Sequence, residues 1–445
     1  MPEIITLLNY LSAVMSKTKQ KQLQVIIEAL LSMRGRITML GMSRWSEKGG
    51  SYRTIQRFFH SKFNWLDINW FFIQKHLIKK GSVYLLGGDE VVVSKSGAST
   101  HGLDFFYSSI HNKVIKSIMF LNISLIDVTS RKAYPLVMKQ IVKESKEGCI
   151  KDKSKKVKSK PKKHNKAGRP KGSKNKNKKD VELSPFLQFT KEAINKALTR
   201  INKEIDILYF VYDGAFGNNY AMQMLKQCHL EIISKLQRNS ALHFLNEEEY
   251  KGVGTRRRYG TKIDYNNLPN KFLKQTQLDE KERIETKIYQ MEMMHHTFAE
   301  NLNIVIIHKH NIKTNKVAHI ILFSSDLNLE YEKIIDYYSL RFQIEFVFRD
   351  AKQYWGLEDF MSIKETAVNN WANLSIFMVN FSHGLRKDTT KKEMSVLDLK
   401  AHYHGAKYVK EVFKLLPDFD NEHLIKKAFC QITNLGAING YWKVA

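Results

Sequence analysis

Residues 338 to 352, YSLRFQIEFVFRDAK, have two distinct faces when wound on a helix. At about 100° per residue, Tyr338, Arg341, Glu345 and Lys352 fall near about 0°, 300°, 340° and 320° and share one narrow stripe, with Arg349 beside them at about 20°. Leu340, Ile344, Val347, Phe348, Ala351 and Trp355 take the arc from about 180° to 280° and make an apolar face to bury. One carboxylate among cations and a tyrosine suits a polyanion held beside a metal ion. Arginine and lysine take phosphates, the tyrosine hydroxyl donates to another, and the carboxylate would repel DNA unless a divalent cation stood between them. The same residues also suit a solvated helix face laced by i,i+4 and i,i+7 charge pairs.

The spacing Y-x2-R-x3-E-x6-K resembles, without a departure, the signature of the Y-R-E-K class of bacterial DDE insertion-sequence transposases. That resemblance implies a ribonuclease H-like catalytic domain: an α/β (α+β) fold with a mixed sheet flanked by helices, a mainly β insertion and a helical N-terminal DNA-binding domain. It implies that Glu345 is the third of three metal-binding carboxylates and that two aspartates lie upstream, each on or at the end of a buried strand. The resemblance covers roughly residues 30 to 360 and is strongest at 205–240 and 320–360.

Two aspartates meet that description. Residues 83–93, VYLLGGDEVVV, are a β-branched and apolar run that predicts a central strand. Asp89 sits inside it, where a buried carboxylate needs a partner or a cation. Glu90 points to the opposite face by strand alternation and ranks as a neighbour. The segment after it alternates well enough for two further antiparallel strands. Downstream, Ile207–Tyr212 predict a short buried strand ended by Asp213; Gly214 and Gly217 loosen the turn, and Asn218 or Asn219 can cap the next helix. A strand-end aspartate beside a glycine turn is where α/β folds place ligand-binding carboxylates, although alone it also fits a turn aspartate. Leu230–Leu236 read as the next strand, with Lys235 and Arg238 near its end as phosphate contacts.

Asp89, Asp213 and Glu345 are 124 and 132 residues apart. Hard oxygen ligands select Mg²⁺ or Mn²⁺, and two ions about 3.5 to 4 Å apart can activate a water or a 3′-hydroxyl and steady the leaving oxygen. The expected activity is therefore that of a DNA transposase, which binds transposon ends, cleaves DNA and joins 3′-OH ends to target DNA. By resemblance, Tyr338, Arg341 and Lys352 hold phosphates around the cut, and two copies pair two DNA ends as a homodimer. A metal-dependent endonuclease without strand transfer uses the same triad. A domesticated DNA-binding protein derived from a transposase is a third reading and predicts a lost carboxylate; none is missing.

The remainder of the chain agrees with a DNA partner. It has 445 residues, a formal charge of +28 and a pI near 9.7, a balance that points to nucleic acid and also fits a membrane surface. No run of 18 apolar residues appears, the N-terminus lacks a cationic leader, and Cys149, Cys228 and Cys430 have no metal or disulfide spacing, which agrees with a reducing cytoplasm; the resemblance implies a bacterial one, with the protein at the nucleoid.

Residues 1–80 predict a helical DNA-binding domain in which Ser51 caps a basic helix carrying Arg53 and Arg57; a helical cap on the catalytic core is the alternative. The catalytic domain occupies 81–239 and 327–385, divided by a mainly β insertion at 240–326, and a helical region follows at 386–445. Within it, residues 151–180 hold fourteen lysines and one arginine against two aspartates. That composition predicts a disordered basic loop, and its GRPKGSK core, with Arg169 and Lys171, resembles an AT-hook; a loop adding sequence-tolerant affinity is the plainer reading. The histidines at 295, 296, 308 and 310 lack zinc spacing and read as structural or DNA-facing. Asp326 reads as a helix N-cap.

Overall fold

A computed structural model describes residues 2–46, 49–143, 177–247, 257–387, 394–415 and 422–433. The N-terminal three- and four-residue apolar spacing folds as helices α1 (Pro2–Asn9), α2 (Lys17–Ser32), α3 (Met39–Trp45), α4 (Tyr52–Phe59) and α5 (Trp65–His76). Ser16, Thr38, Ser51 and Asn64 cap α2 to α5, each accepting the backbone N–H three residues on.

The valine-rich run then forms β1 (Tyr84–Ser94). Three strands follow where the sequence predicts two: β2 (Asp104–Ser108), β3 (Lys113–Asp127) and β4 (Lys132–Ile141). The extra one, β2, is an edge strand on which Phe106 is buried while Phe105 and Tyr107 are exposed, so three consecutive aromatics mask its alternation. Next come α6 (Pro185–Ile201), β5 (Tyr209–Val211), a 3₁₀ turn at Gly214–Phe216, α7 (Asn219–Lys226) and β6 (Glu231–Leu236). The segment after β6 gives β7 (Leu242–Leu245), β8 (Tyr259–Lys262), β9 (Leu273–Asp279), β10 (Ile284–His295), β11 (Leu302–Asn311) and β12 (Lys316–Ser324). The chain continues through α8 (Tyr331–Leu340), α9 (Phe342–Tyr354), α10 (Glu365–Leu385), α11 (Val396–Leu415) and α12 (Glu422–Thr433).

Pairing sets the architecture. β4 lies antiparallel to β3 and β3 antiparallel to β1, whereas β1, β5 and β6 run parallel. Three antiparallel strands continued by two parallel ones, with helices packed on the sheet, make the α/β (α+β) ribonuclease H-like fold. The β-rich segment does not stand apart from it: β12 pairs with β6, and β11 and β10 follow, so the described strands form one twelve-stranded sheet.

Helix α10 lies between that sheet and the N-terminal helices, and three asparagines join the layers. Asn370 accepts the Trp65 indole N–H (2.8 Å), Asn373 accepts the Met138 N–H (2.9 Å), and Asn380 donates to Asn69 (2.9 Å) and to the Pro135 carbonyl (2.8 Å). Each amide satisfies groups that would otherwise be buried without partners. A single apolar core accordingly runs from Ile4 to Tyr403. Asp326 does not cap α8: its carboxylate accepts the Tyr209 hydroxyl (2.7 Å) and the Asn328 N–H (2.9 Å), and Glu330 holds the cap position without a side-chain bond. Cys228 is a buried free thiol. Among the described residues no helix is long and apolar enough to cross a membrane.

Candidate active site

Gly87 lets a helix lie directly on β1. A Cβ there would stand 2.9 Å from Ile344 Cδ1 of α9 and 2.7 Å from Ile126 Cδ1, distances that only glycine avoids. Asp89, two residues on, projects from the same face. The parallel register pairs Leu86 with Phe210 and Gly87 with Val211. Asp89 lies two residues past Gly87 and Asp213 two residues past Val211, where β5 has ended, and the two carboxylates repel one another.

Asp213 is held by its own turn. Its side chain accepts the Ala215 N–H (2.9 Å), its carbonyl accepts the Ser234 hydroxyl (2.6 Å), and Asn218 caps α7 beyond it. Gly217 packs so tightly on β6 that a Cβ would meet the Lys235 carbonyl at 2.4 Å. The third acid, Glu345, arrives from the first turn of α9.

The stretch 338–352 is not one unbroken helix. Helix α8 stops at Leu340 and α9 starts at Phe342, and Arg341 stands at the junction. The Arg341 N–H bonds the Tyr338 carbonyl (3.2 Å) and the Ile344 N–H bonds the Arg341 carbonyl (2.9 Å), three-residue bonds that tighten the winding there. From that position Arg341 donates Nη1 to Asp89 Oδ2 (2.8 Å) and Nη2 to Glu345 Oε1 (2.9 Å). One guanidinium thus ties the first carboxylate to the third. Among the described residues no three acidic, histidine or cysteine side chains converge closely enough to hold a metal ion, and Arg341 fills the space between two of the acids.

Electrostatics tie the same residues together. Burial raises the Asp89 carboxyl to about 6; Arg341 opposes the rise, and repulsion from Asp213 and Glu345 adds to it. Tyr338, half-buried beside Arg341, feels both Asp213 and Asp89 and is likewise pushed up, chiefly by burial. Glu90 faces the other way, toward the buried Tyr212 hydroxyl, and burial pushes it up to about 7. Nothing in the local pattern marked this approach of Glu90 to Tyr212, because it depends on the β1–β5 register.

The other expected contacts divide. Lys352 reaches back to β1, donating to the Val92 carbonyl (3.0 Å) and pairing with Glu358 (2.9 Å). Arg349 leaves the group: it grips its neighbour Asp350 (2.9 Å) and stacks over Phe346. Lys235 lies on β6 beside the Asp213 turn. Arg238 is exposed and donates weakly to the Val317 carbonyl (3.3 Å). Arg169 and Lys171 lie outside the described residues. The histidines form local contacts such as His310 with Asn315 (2.7 Å) and His295 with Thr297 (2.8 Å).

No curated protein matches the chain. A family model described as DDE superfamily endonuclease matches residues 8–297, a segment that holds Asp89 and Asp213 and stops short of Glu345. The match spans well over half of the sequence, and with it the chain belongs to the DDE superfamily endonucleases and is a metal-dependent nuclease that cuts DNA.

Proposed function

We propose that the protein is a transposase of the Y-R-E-K class from a bacterial insertion sequence, acting at the nucleoid, with Asp89, Asp213 and Glu345 as its metal-binding triad. The observation that carries this reading is the mutual influence of the three acids, Asp213 and Glu345 both repelling the buried Asp89, with Arg341 linking Asp89 to Glu345. The donor chemistry fits a hard divalent cation: three carboxylates from three elements, one of them buried and repelled by the other two, and two of them paired with one cationic side chain. Magnesium or manganese, two ions per site, would activate a water or a 3′-hydroxyl and stabilise the leaving oxygen.

The side chains themselves orient the acids and the DNA. Arg341 keeps Asp89 and Glu345 from repelling one another until a phosphate or a metal competes for them. Tyr338, Arg341 and Lys352 hold the phosphates around the cut, and Lys235 and Arg238 extend the contact along β6. Arg349, Arg169 and Lys171 serve as peripheral DNA contacts. The N-terminal helices, with the exposed Arg53 and Arg57 of α4, bind the transposon end. Two copies pair two ends as a homodimer, because two equivalent cuts need two equivalent sites.

The family description, endonuclease, favours one second reading: a nuclease that cuts without rejoining. A labelled 3′-OH end incubated with target DNA separates the two, since only the transposase joins it. In either case Asp89→Ala, Asp213→Ala and Glu345→Ala are each expected to reduce cutting to background while DNA binding, measured by anisotropy, survives. Magnesium-dependent cutting retained in any of the three overturns the triad.

A further inference from the structure

The turn between α2 and α3, the last turn of α9 and helix α11 enclose a cavity of about 760 Å³, a size that accommodates a nucleotide. Four cations line it, Arg34 and Arg36 from the turn, Lys352 from α9 and Lys400 from α11, against one carboxylate, Asp359. That carboxylate is engaged, accepting the Ile37 N–H at 2.9 Å. Lys352 is bound to Val92 and Glu358. Lys400 is sunk into the wall, donating to the Leu30 carbonyl (2.7 Å) and lying 5.1 Å over the Trp355 ring, and burial lowers it to about 8. Arg34 and Arg36 are different: both are exposed, and neither has a hydrogen-bond or ion-pair partner among the described residues.

Two unpaired guanidinium forks at a concave, net-positive site match a phosphate, whose oxygens take paired N–H donors. Tyr354, also in the lining, offers a ring for a base. The cavity is joined to the carboxylates by α9 itself. Glu345 sits in its first turn, and Lys352 and Tyr354 in its last, about 10 to 13 Å further along the helix axis. A DNA strand covers that distance in about three to four nucleotides.

We propose that this cavity binds one nucleotide of the DNA strand running on from the bond that is cut, Arg34 and Arg36 holding its phosphate and Tyr354 stacking on its base. The inference rests on the reading of Asp89, Asp213 and Glu345 as the cutting site. It extends that site by residues from the N-terminal helices, and so gives the shared core between those helices and α9 a use in substrate binding.

The test uses the full chain and a set of duplexes whose strand beyond the cut is shortened one nucleotide at a time, with binding read by anisotropy. The wild type is expected to lose about tenfold in affinity once the strand no longer reaches the cavity. The Arg34→Gln/Arg36→Gln variant should bind long and short duplexes equally, and its melting temperature should match the wild type because both side chains are exposed. A 2-aminopurine placed at that nucleotide should be quenched in the wild type and regain fluorescence in Tyr354→Ala. The same length dependence in wild type and double variant overturns the proposal. So does abolition of the length dependence by inorganic phosphate alone, which would assign the cavity to a free anion. Cutting is followed in parallel: a wild type that shows the length dependence but never cuts DNA refutes the triad and leaves this binding site standing.

Discussion

Asp89 and Glu90 are consecutive, yet β-strand alternation sends them to opposite faces of β1 and into different chemistry. Asp89 meets a cation, Arg341, whereas Glu90 faces the Tyr212 hydroxyl and feels the negative charges of Asp89 and Asp213. Burial raises Glu90 from 4.5 to about 7. An acid raised on folding binds its proton more tightly in the native state than in the unfolded chain. Its contribution to stability is complete below the unfolded value of about 4.5 and is lost as pH climbs through about 7. Glu90→Gln is nearly isosteric and carries no charge, so it should remove that loss. Expected is a thermal midpoint that falls less between pH 5 and pH 8 than the wild type's, with a gain at pH 8 of about 3 kcal/mol and cutting retained. Parallel midpoint curves for the two proteins would contradict this. The presence of an acid inside an apolar run was legible in the sequence; what balances its charge was not, since Arg341 and Tyr212 reach β1 from residues 252 and 122 positions away.

At the level of elements, local pattern and tertiary pairing divide the information. The strands β1, β5 and β6 and the capped helices were readable because each is written in its own residues: valines, a glycine turn, a serine at the right offset. The division of residues 331–354 into α8 and α9 was not, because no proline or glycine marks Arg341 and the tightened turn accompanies its bonds across to Asp89. The joining of β12 to β6 escaped for a related reason, as strand pairing is decided by partners remote in sequence. The β5–α7 turn shows how tightly such an element holds Asp213, the second acid of the proposed triad. Gly217→Ala would push a methyl into the Lys235 carbonyl at 2.4 Å, both partners being backbone, whereas at Gly214 the same carbonyl lies at an ordinary 3.5 Å. Gly217→Ala should lower stability by about 1 to 3 kcal/mol and reduce cutting beyond the unfolded fraction, because Asp213 moves with the turn. Gly214→Ala should do neither by comparison. Equal effects from the two substitutions, measured by thermal melts and cleavage rates, would show that the turn does not position Asp213.

Across the whole molecule, charge and core pull against each other. The chain carries a formal +28, and self-repulsion of that size disfavours compaction unless a polyanion is bound. Much of the excess is concentrated in one run of sequence: residues 151–176 hold twelve lysines and Arg169 against one aspartate, while the carboxylates proposed as the triad lie on β1, on the β5 turn and on α9. This separation predicts that affinity and chemistry can be uncoupled. Replacing residues 151–176 with a short neutral linker retains Lys178, whose ammonium bonds the His296 carbonyl, and Lys179, which pairs with Glu300. The shortened chain should fold, cut DNA with magnesium and bind more weakly. Its salt dependence should flatten as well: on duplex DNA each phosphate that the loop no longer neutralises takes about 0.9 from the slope of log affinity against log salt, so about five such phosphates would remove about 4 to 5 units. A slope unchanged by the replacement would place the phosphate-binding cations on the folded surface instead, on Arg53 and Arg57 of α4 and on Lys235 and Arg238 beside β6.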